Sequence, residues 1–113
     1  MTKVISLGGS IVVPDKPDTD FLTDFISVAK EWLYADEKRR LILVVGGGAP
    51  ARIYQKAYLE ISKNADGVYS PDSADWIGIM ATRLNAQLVK SCFGDLCLND
   101  VVYDPTAPIE FKG

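Results

Sequence analysis

Residues 41 to 48 read Leu41-Ile42-Leu43-Val44-Val45-Gly46-Gly47-Gly48, five apolar positions closed by three glycines. An unbroken apolar run of that length is the pattern of a parallel strand covered on both faces, and glycines at its end predict a tight loop. Near the start of the chain the same order recurs: Lys3 to Leu7 (KVISL) is β-branched and apolar and stops at Gly8-Gly9-Ser10. Ile11-Val12-Val13-Pro14 then reads as continuing extended chain. Between the two strand candidates, Leu22, Phe25, Ile26, Ala29, Trp32 and Leu33 recur at spacings of three and four, which predicts a helix from about position 19 to the mid-thirties. A charged turn, Asp36 to Arg40, separates it from the second strand.

Beyond the triple glycine, a second helix is predicted over Pro50 to Ser62, with Pro50 in its first turn and Tyr54, Ala57, Tyr58 and Ile61 on one side. Asn64-Ala65-Asp66-Gly67 supplies turn chemistry at its end. A third, longest helix follows Ser70-Pro71-Asp72-Ser73, with Ser73 or Asp72 as cap and Ile77, Met80, Ala81, Leu84, Leu88 and Cys92 as one stripe, and Gly94 ends it. The tail from Leu96 to Gly113 carries Pro105 and Pro108 and reads as the approach to another strand. Strand, glycine loop, helix, strand, glycine loop, helix, helix is the opening of an α/β fold, an open parallel sheet with helices on both faces.

Composition narrows the function. The chain has 113 residues and a net charge of −3, so one α/β domain is expected and a two-domain enzyme does not fit inside it. Its Lys and Arg are scattered and its pI is near 4.8, which argues against nucleic-acid partners. Without any His, Ser–His and Cys–His couples and histidine-ligated zinc are excluded within this chain, and no metal site is expected of its side chains. Cys92 and Cys97, five positions apart, match neither a CxxC site nor a disulfide framework and read as reduced thiols. No apolar run approaches the roughly 20 residues of a membrane span, and no signal-peptide pattern opens the chain, so the expectation is a cytoplasmic protein without a membrane partner.

In open α/β sheets, ligands sit beyond the carboxyl ends of the strands, where both glycine clusters lie. Bare backbone N–H groups there can approach a phosphate, and two such loops on adjacent strands would hold two phosphates side by side, the requirement of phosphoryl transfer. The plain alternative is glycine used for the turn alone. Neither cluster has the GxxxxGK[ST] spacing of a P-loop. Gly46, Gly48 and Ala51 do fit a loose dinucleotide spacing, but the second strand with its acidic end, about 20 positions on, is absent. Arg52 reads either as a phosphate ligand or as a surface arginine. Asp75 reads as an acceptor for ribose hydroxyls or, on spacing alone, as the complement of a helix dipole. Trp76, Arg83 and Asn85 lie off the apolar stripe of the third helix, a second face suited to a partner chain, with core packing the alternative for Trp76.

Val4-Ile5-Ser6-Leu7-Gly8-Gly9-Ser10, Val44-Val45-Gly46-Gly47-Gly48 with Ala51, Arg52 and Tyr54, and Asp75-Trp76-Ile77-Gly78-Ile79 with Ala81-Thr82-Arg83-Leu84-Asn85-Ala86 together resemble the amino acid kinase family, and within it the archaeal-type UMP kinases. The resemblance implies transfer of the ATP γ-phosphoryl group to UMP with Mg2+, giving UDP in pyrimidine nucleotide biosynthesis, in a hexamer built from dimers. It implies that Gly8, Gly9 and Ser10 cradle the ATP phosphates, with Gly9, Ser10 and Arg52 at the transfer point. Gly47 would contact the UMP phosphate, Gly48 and Arg52 would steady the transferring group, and Asp75 would bind UMP. Two departures stand out. Ser6 occupies a position where many members carry Lys, and members run to roughly twice this length, so the chain resembles the N-terminal, acceptor-side part and is expected to be inert alone. Isopentenyl phosphate kinases share the opening Gly-Gly-Ser but use a substrate-site His that this chain lacks. A non-catalytic oligomerisation or regulatory module of the same fold, and a plain α/β binding domain, are the remaining readings.

Overall fold

The structure, a computed structural model, describes residues 1–65, 67–97 and 101. Strand β1 (Thr2–Leu7) is followed by a short helix α1 (Gly9–Val12), helix α2 (Thr19–Tyr34), strand β2 (Arg40–Val45), helix α3 (Gly48–Asn64) and helix α4 (Pro71–Phe93), with one 3-10 turn at Gly94–Leu96. The two strands pair in parallel, from Thr2 opposite Arg40 to Leu7 opposite Val45. This is the α/β architecture expected from the two strand-glycine-helix units. The anticipated strand approach after Leu96 falls almost entirely outside the described residues, as does Asp66 of the turn after α3.

Alternation along the strands assigns the sheet faces. Ile5, Leu7, Leu41, Leu43 and Val45 belong to the core cluster that they share with Leu22, Ile26 and Ala29 of α2 and Val89 and Phe93 of α4. On the other face, Val4 and Val44 are exposed. Helix α2 buries the face its periodicity predicts and starts where Asp18, in an extended conformation, accepts a hydrogen bond from the Phe21 N–H. Stacked Phe21 and Phe25 extend that face, their ring centroids 5.9 Å apart.

Three sequence expectations need correction. Ile11 and Val12 are not extended: Gly9–Val12 makes a helical turn, with the Val13 N–H donating to the Gly9 carbonyl at 2.8 Å. Val12 and Val13 are consecutive and both essentially fully buried, which a strand with alternating faces achieves only between two layers. A turn delivers both to one core, where each contributes about 1.5–3 kcal/mol of burial. Helix α3 begins at Gly48, ahead of Pro50, and it does not bury the side drawn for it, since Tyr54 and Ile61 are exposed while Ala49 and Ser62 are buried.

Helix α4 is turned relative to its predicted stripe. Its buried residues are Ala74, Ala81, Asn85, Val89 and Phe93, whereas Met80 and Leu84 are exposed, Leu84 at 65%. Small residues at 74, 78 and 81 let the helix approach α3 and the end of β2 closely, and large side chains at those positions would hold it off. The cap is Ser70, whose Oγ accepts from the Ser73 N–H at 3.3 Å, and Pro71 occupies the first turn. Gly94 closes the helix, as the sequence anticipated, at φ 58° and ψ −130°, a backbone conformation that favours glycine. Both cysteines are free thiols. Among the described residues, no helix is long and apolar enough to cross a membrane.

Candidate phosphate-acceptor site

The parallel pairing carries Leu7 and Val45 side by side to the same edge of the sheet, so the chain leaves both strands into adjacent loops. These loops touch. A Cβ on Gly9 would collide with the Gly48 nitrogen and lie 2.7 Å from the Gly46 carbonyl carbon, so the two backbones approach to a distance only glycine permits. Gly46 N–H donates to the Leu7 carbonyl at 3.1 Å and Ala49 N–H to the Val13 carbonyl at 3.0 Å, fastening the second loop to the first on both sides of the contact.

Gly47 lies in the right-handed helical region, φ −79° and ψ −31°, and Gly48 follows at φ +59°, in the left-handed region. Successive residues of opposite hand turn consecutive N–H groups toward one side and form a concavity that suits an anion. Among the described residues, neither the Gly47 nor the Gly48 N–H has a protein acceptor. They open α3, whose N-terminal end adds partial positive charge.

These two glycines form one end of a solvent-open pocket of ≈ 590 Å³ between α3 and α4, whose walls include Arg52 and Gln55 from α3 and Asp75, Gly78, Thr82 and Arg83 from α4. Of the residues singled out from sequence, Gly47, Gly48, Arg52 and Asp75 are thus brought to one cavity. Gly8, Gly9 and Ser10 are not on its wall; they sit behind it, across the glycine contact. Arg52 joins the two sides, donating from a guanidinium nitrogen to Ser10 Oγ at 3.3 Å. Asp75 is exposed and stands one turn into α4, its carboxylate the acidic group of a cavity that also holds two guanidinium groups.

The pocket stays open because its walls are tied at their ends. Gln55 Nε2 donates to the Ala74 carbonyl at 2.9 Å, and a Cβ on Gly78 would stand 2.7 Å from that same nitrogen, so Gly78 makes room for the tie. Tyr58 accepts from the Ser70 N–H at 3.1 Å and its ring meets that of Tyr69 at 5.4 Å, fixing the connection between α3 and α4. Thr82 Oγ1 donates back to the Gly78 carbonyl and would lie 3.1 Å from a Cβ on Gly47, so its hydroxyl stands against the glycine loop.

Sequence reasoning missed Gln55 and Thr82, and it misplaced Asn85. Asn85 does not face a partner: it is 3% exposed, and its Nδ2 donates to the Gly46 and Gly47 carbonyls at 3.0 and 2.9 Å. The available signal was its spacing of four from Ala81 and Val89, which puts it on the buried face once that face is correctly drawn. Trp76 is more than half exposed and Arg83 lies over its ring at 5.9 Å, so the core alternative for Trp76 fails.

The profile described as the amino acid kinase family matches residues 1–110. The chain is 38% identical over 104 residues to a uridylate kinase of Thermococcus onnurineus, covering 92% of this chain and 42% of that protein. It is 42% identical over 105 residues to a uridylate kinase of Methanospirillum hungatei, covering 93% and 40%. With the uridylate kinase of Methanocaldococcus jannaschii the identity is 33% over 102 residues, 89% of this chain and 42% of that protein. The chain therefore spans about two-fifths of the length of the curated relatives it matches.

Proposed function

The chain belongs to the amino acid kinase family, and from that premise we propose that it is the acceptor side of a UMP kinase, taking part in transfer of the ATP γ-phosphoryl group to UMP to give UDP. The observation that supports this reading is that Gly47 and Gly48, successive residues of opposite hand, line one pocket together with Arg52 and Asp75. The 5′-phosphate of UMP is received by the Gly47 and Gly48 N–H groups, and Asp75, farther along the pocket, accepts from ribose hydroxyls.

Gly8, Gly9 and Ser10 meet the donor phosphates. Because Gly9 is packed against Gly46 to Gly48, donor and acceptor phosphates meet across one backbone thickness, which supplies the proximity that phosphoryl transfer needs. Arg52, already bonded to Ser10, stands between them and neutralises charge on the group in transit. With Ser6 in the strand before the first glycines, that cationic duty falls to Arg52 and the backbone amides. Mg2+, when bound, would neutralise phosphate charge on ATP. Among the described residues no group of three or more acidic or thiol side chains is gathered that could hold a metal ion.

The reading also includes self-association, supported by the exposed apolar side of α4 that carries Trp76, Met80 and Leu84. Titration of UMP into the chain with AMP and isopentenyl phosphate as controls tests the function. Saturable binding of UMP in preference to both supports it. Preference for isopentenyl phosphate would transfer the chain to another phosphotransferase of the fold, and failure of all three to bind would favour a non-catalytic module.

A further inference from the structure

We propose that Asn85 is the positioning residue of the acceptor loop, the group that turns the Gly47 and Gly48 N–H toward the phosphate without touching it. This deepens the phosphate-acceptor reading and rests on it. Asn85 is buried on α4, and its Nδ2 is shared by the Gly46 and Gly47 carbonyls at 3.0 and 2.9 Å. Only the amide nitrogen can face two carbonyls, since the side-chain oxygen has no hydrogen to give them. Each of its two hydrogens serves one carbonyl.

The consequence follows from peptide geometry. The Gly46 carbonyl shares a peptide plane with the Gly47 N–H, and the Gly47 carbonyl with the Gly48 N–H. The described chain has no cis bonds, so in both planes the N–H points opposite to the carbonyl. Drawing both carbonyls onto one nitrogen therefore sends both N–H groups the other way, as a pair. Glycine has no side chain to hold φ and ψ, and without the clamp the segment from Gly46 to Gly48 could flip its peptides and present carbonyl oxygens to an anion. Asn85 thus links the register of α4 to the electrostatics of the loop, and the same helix carries Asp75 in the pocket wall.

The test uses the isotopically labelled 113-residue chain and the variants Asn85→Leu, Asn85→Asp and Asp75→Asn, titrated with inorganic phosphate and with UMP by amide NMR well below the melting transition. In the wild type, hydrogen-bond scalar couplings are expected from Asn85 Nδ2 to the carbonyl carbons of both Gly46 and Gly47. In Asn85→Leu and Asn85→Asp the φ-dependent couplings of Gly47 and Gly48 should collapse toward averaged values, and both ligands should weaken at least about tenfold, the loss expected when the Gly46 carbonyl loses the Asn85 donor and the Gly47 carbonyl keeps only the 3.5 Å bond from the Ala51 N–H. Asp75→Asn should weaken UMP while leaving inorganic phosphate unchanged. If phosphate weakens in the Asn85 variants but UMP never outbinds phosphate in the wild type, the UMP reading fails and the positioning role stands. Glycine couplings and phosphate affinity within twofold of wild type in a folded Asn85 variant would overturn the proposal. So would absence of either scalar coupling in the wild type, a result that does not depend on any variant folding.

Discussion

Arg52 and Gly48 carry the account at the level of single residues. The guanidinium of Arg52 bonds Ser10 across the glycine contact, and Arg52 also lines the pocket, so one side chain connects the first glycine loop to the pocket. Arg52→Ala is expected to weaken UMP binding by about tenfold to a hundredfold, the range for a charge-assisted bond, and Arg52→Lys to restore only part of it. Isothermal calorimetry on the three proteins reads this directly. Gly48 is fixed by two independent constraints, its φ of +59° and the Gly9 carbonyl that a Cβ would strike. Gly48→Ala should therefore destabilise by about 2 kcal/mol or more, because left-handed backbone and overlap both act against it. A thermal melt of the variant unchanged from wild type would remove the close approach of the two loops from the account.

At the level of elements, the sequence was legible where pattern and packing agree and opaque where small residues decide the packing. Helix α2 shows its apolar face plainly, because Leu22, Ile26 and Ala29 pack on a sheet and the stripe is made of large side chains. Helix α4 hides its buried face: Ala74, Ala81 and Asn85 carry little hydrophobic signal, while the conspicuous Met80 and Leu84 point outward. The turn at Gly9–Val12 was unreadable for a related reason, since the β-branched run Ile11-Val12-Val13 suits a strand unless a nearby backbone forces the turn. The glycine loops themselves were legible at both strand ends, but that Asn85 holds one of them required the packing of α4. Ser70 gives the element scale its own test. Ser70→Ala removes the cap of α4 and is expected to cost about 1 kcal/mol, lowering the melting temperature by about 4–8 °C, with Ser70→Asp restoring it.

Considered whole, the described residues form a sheet edge with two glycine loops, a helix-walled pocket, and apolar surfaces that include the Val4 and Val44 sheet face and the α4 face of Trp76, Met80 and Leu84. Leu84→Glu is expected to lower any self-association seen in sedimentation velocity without altering UMP affinity, because Leu84 is not part of the pocket wall. The purified chain, which spans about two-fifths of the length of its relatives, is expected to form no UDP from ATP and UMP, and the pocket proposed to receive UMP is lined, among the described residues, by α3, α4 and the glycine loop. The most direct measurement is a titration of UMP into the labelled 113-residue chain, followed at each backbone amide. The account predicts saturable shifts centred on Gly47, Gly48, Arg52 and Asp75, absent with isopentenyl phosphate at the same concentration. Saturable binding with shifts that leave these four residues untouched, or no response to UMP at any concentration, would contradict it.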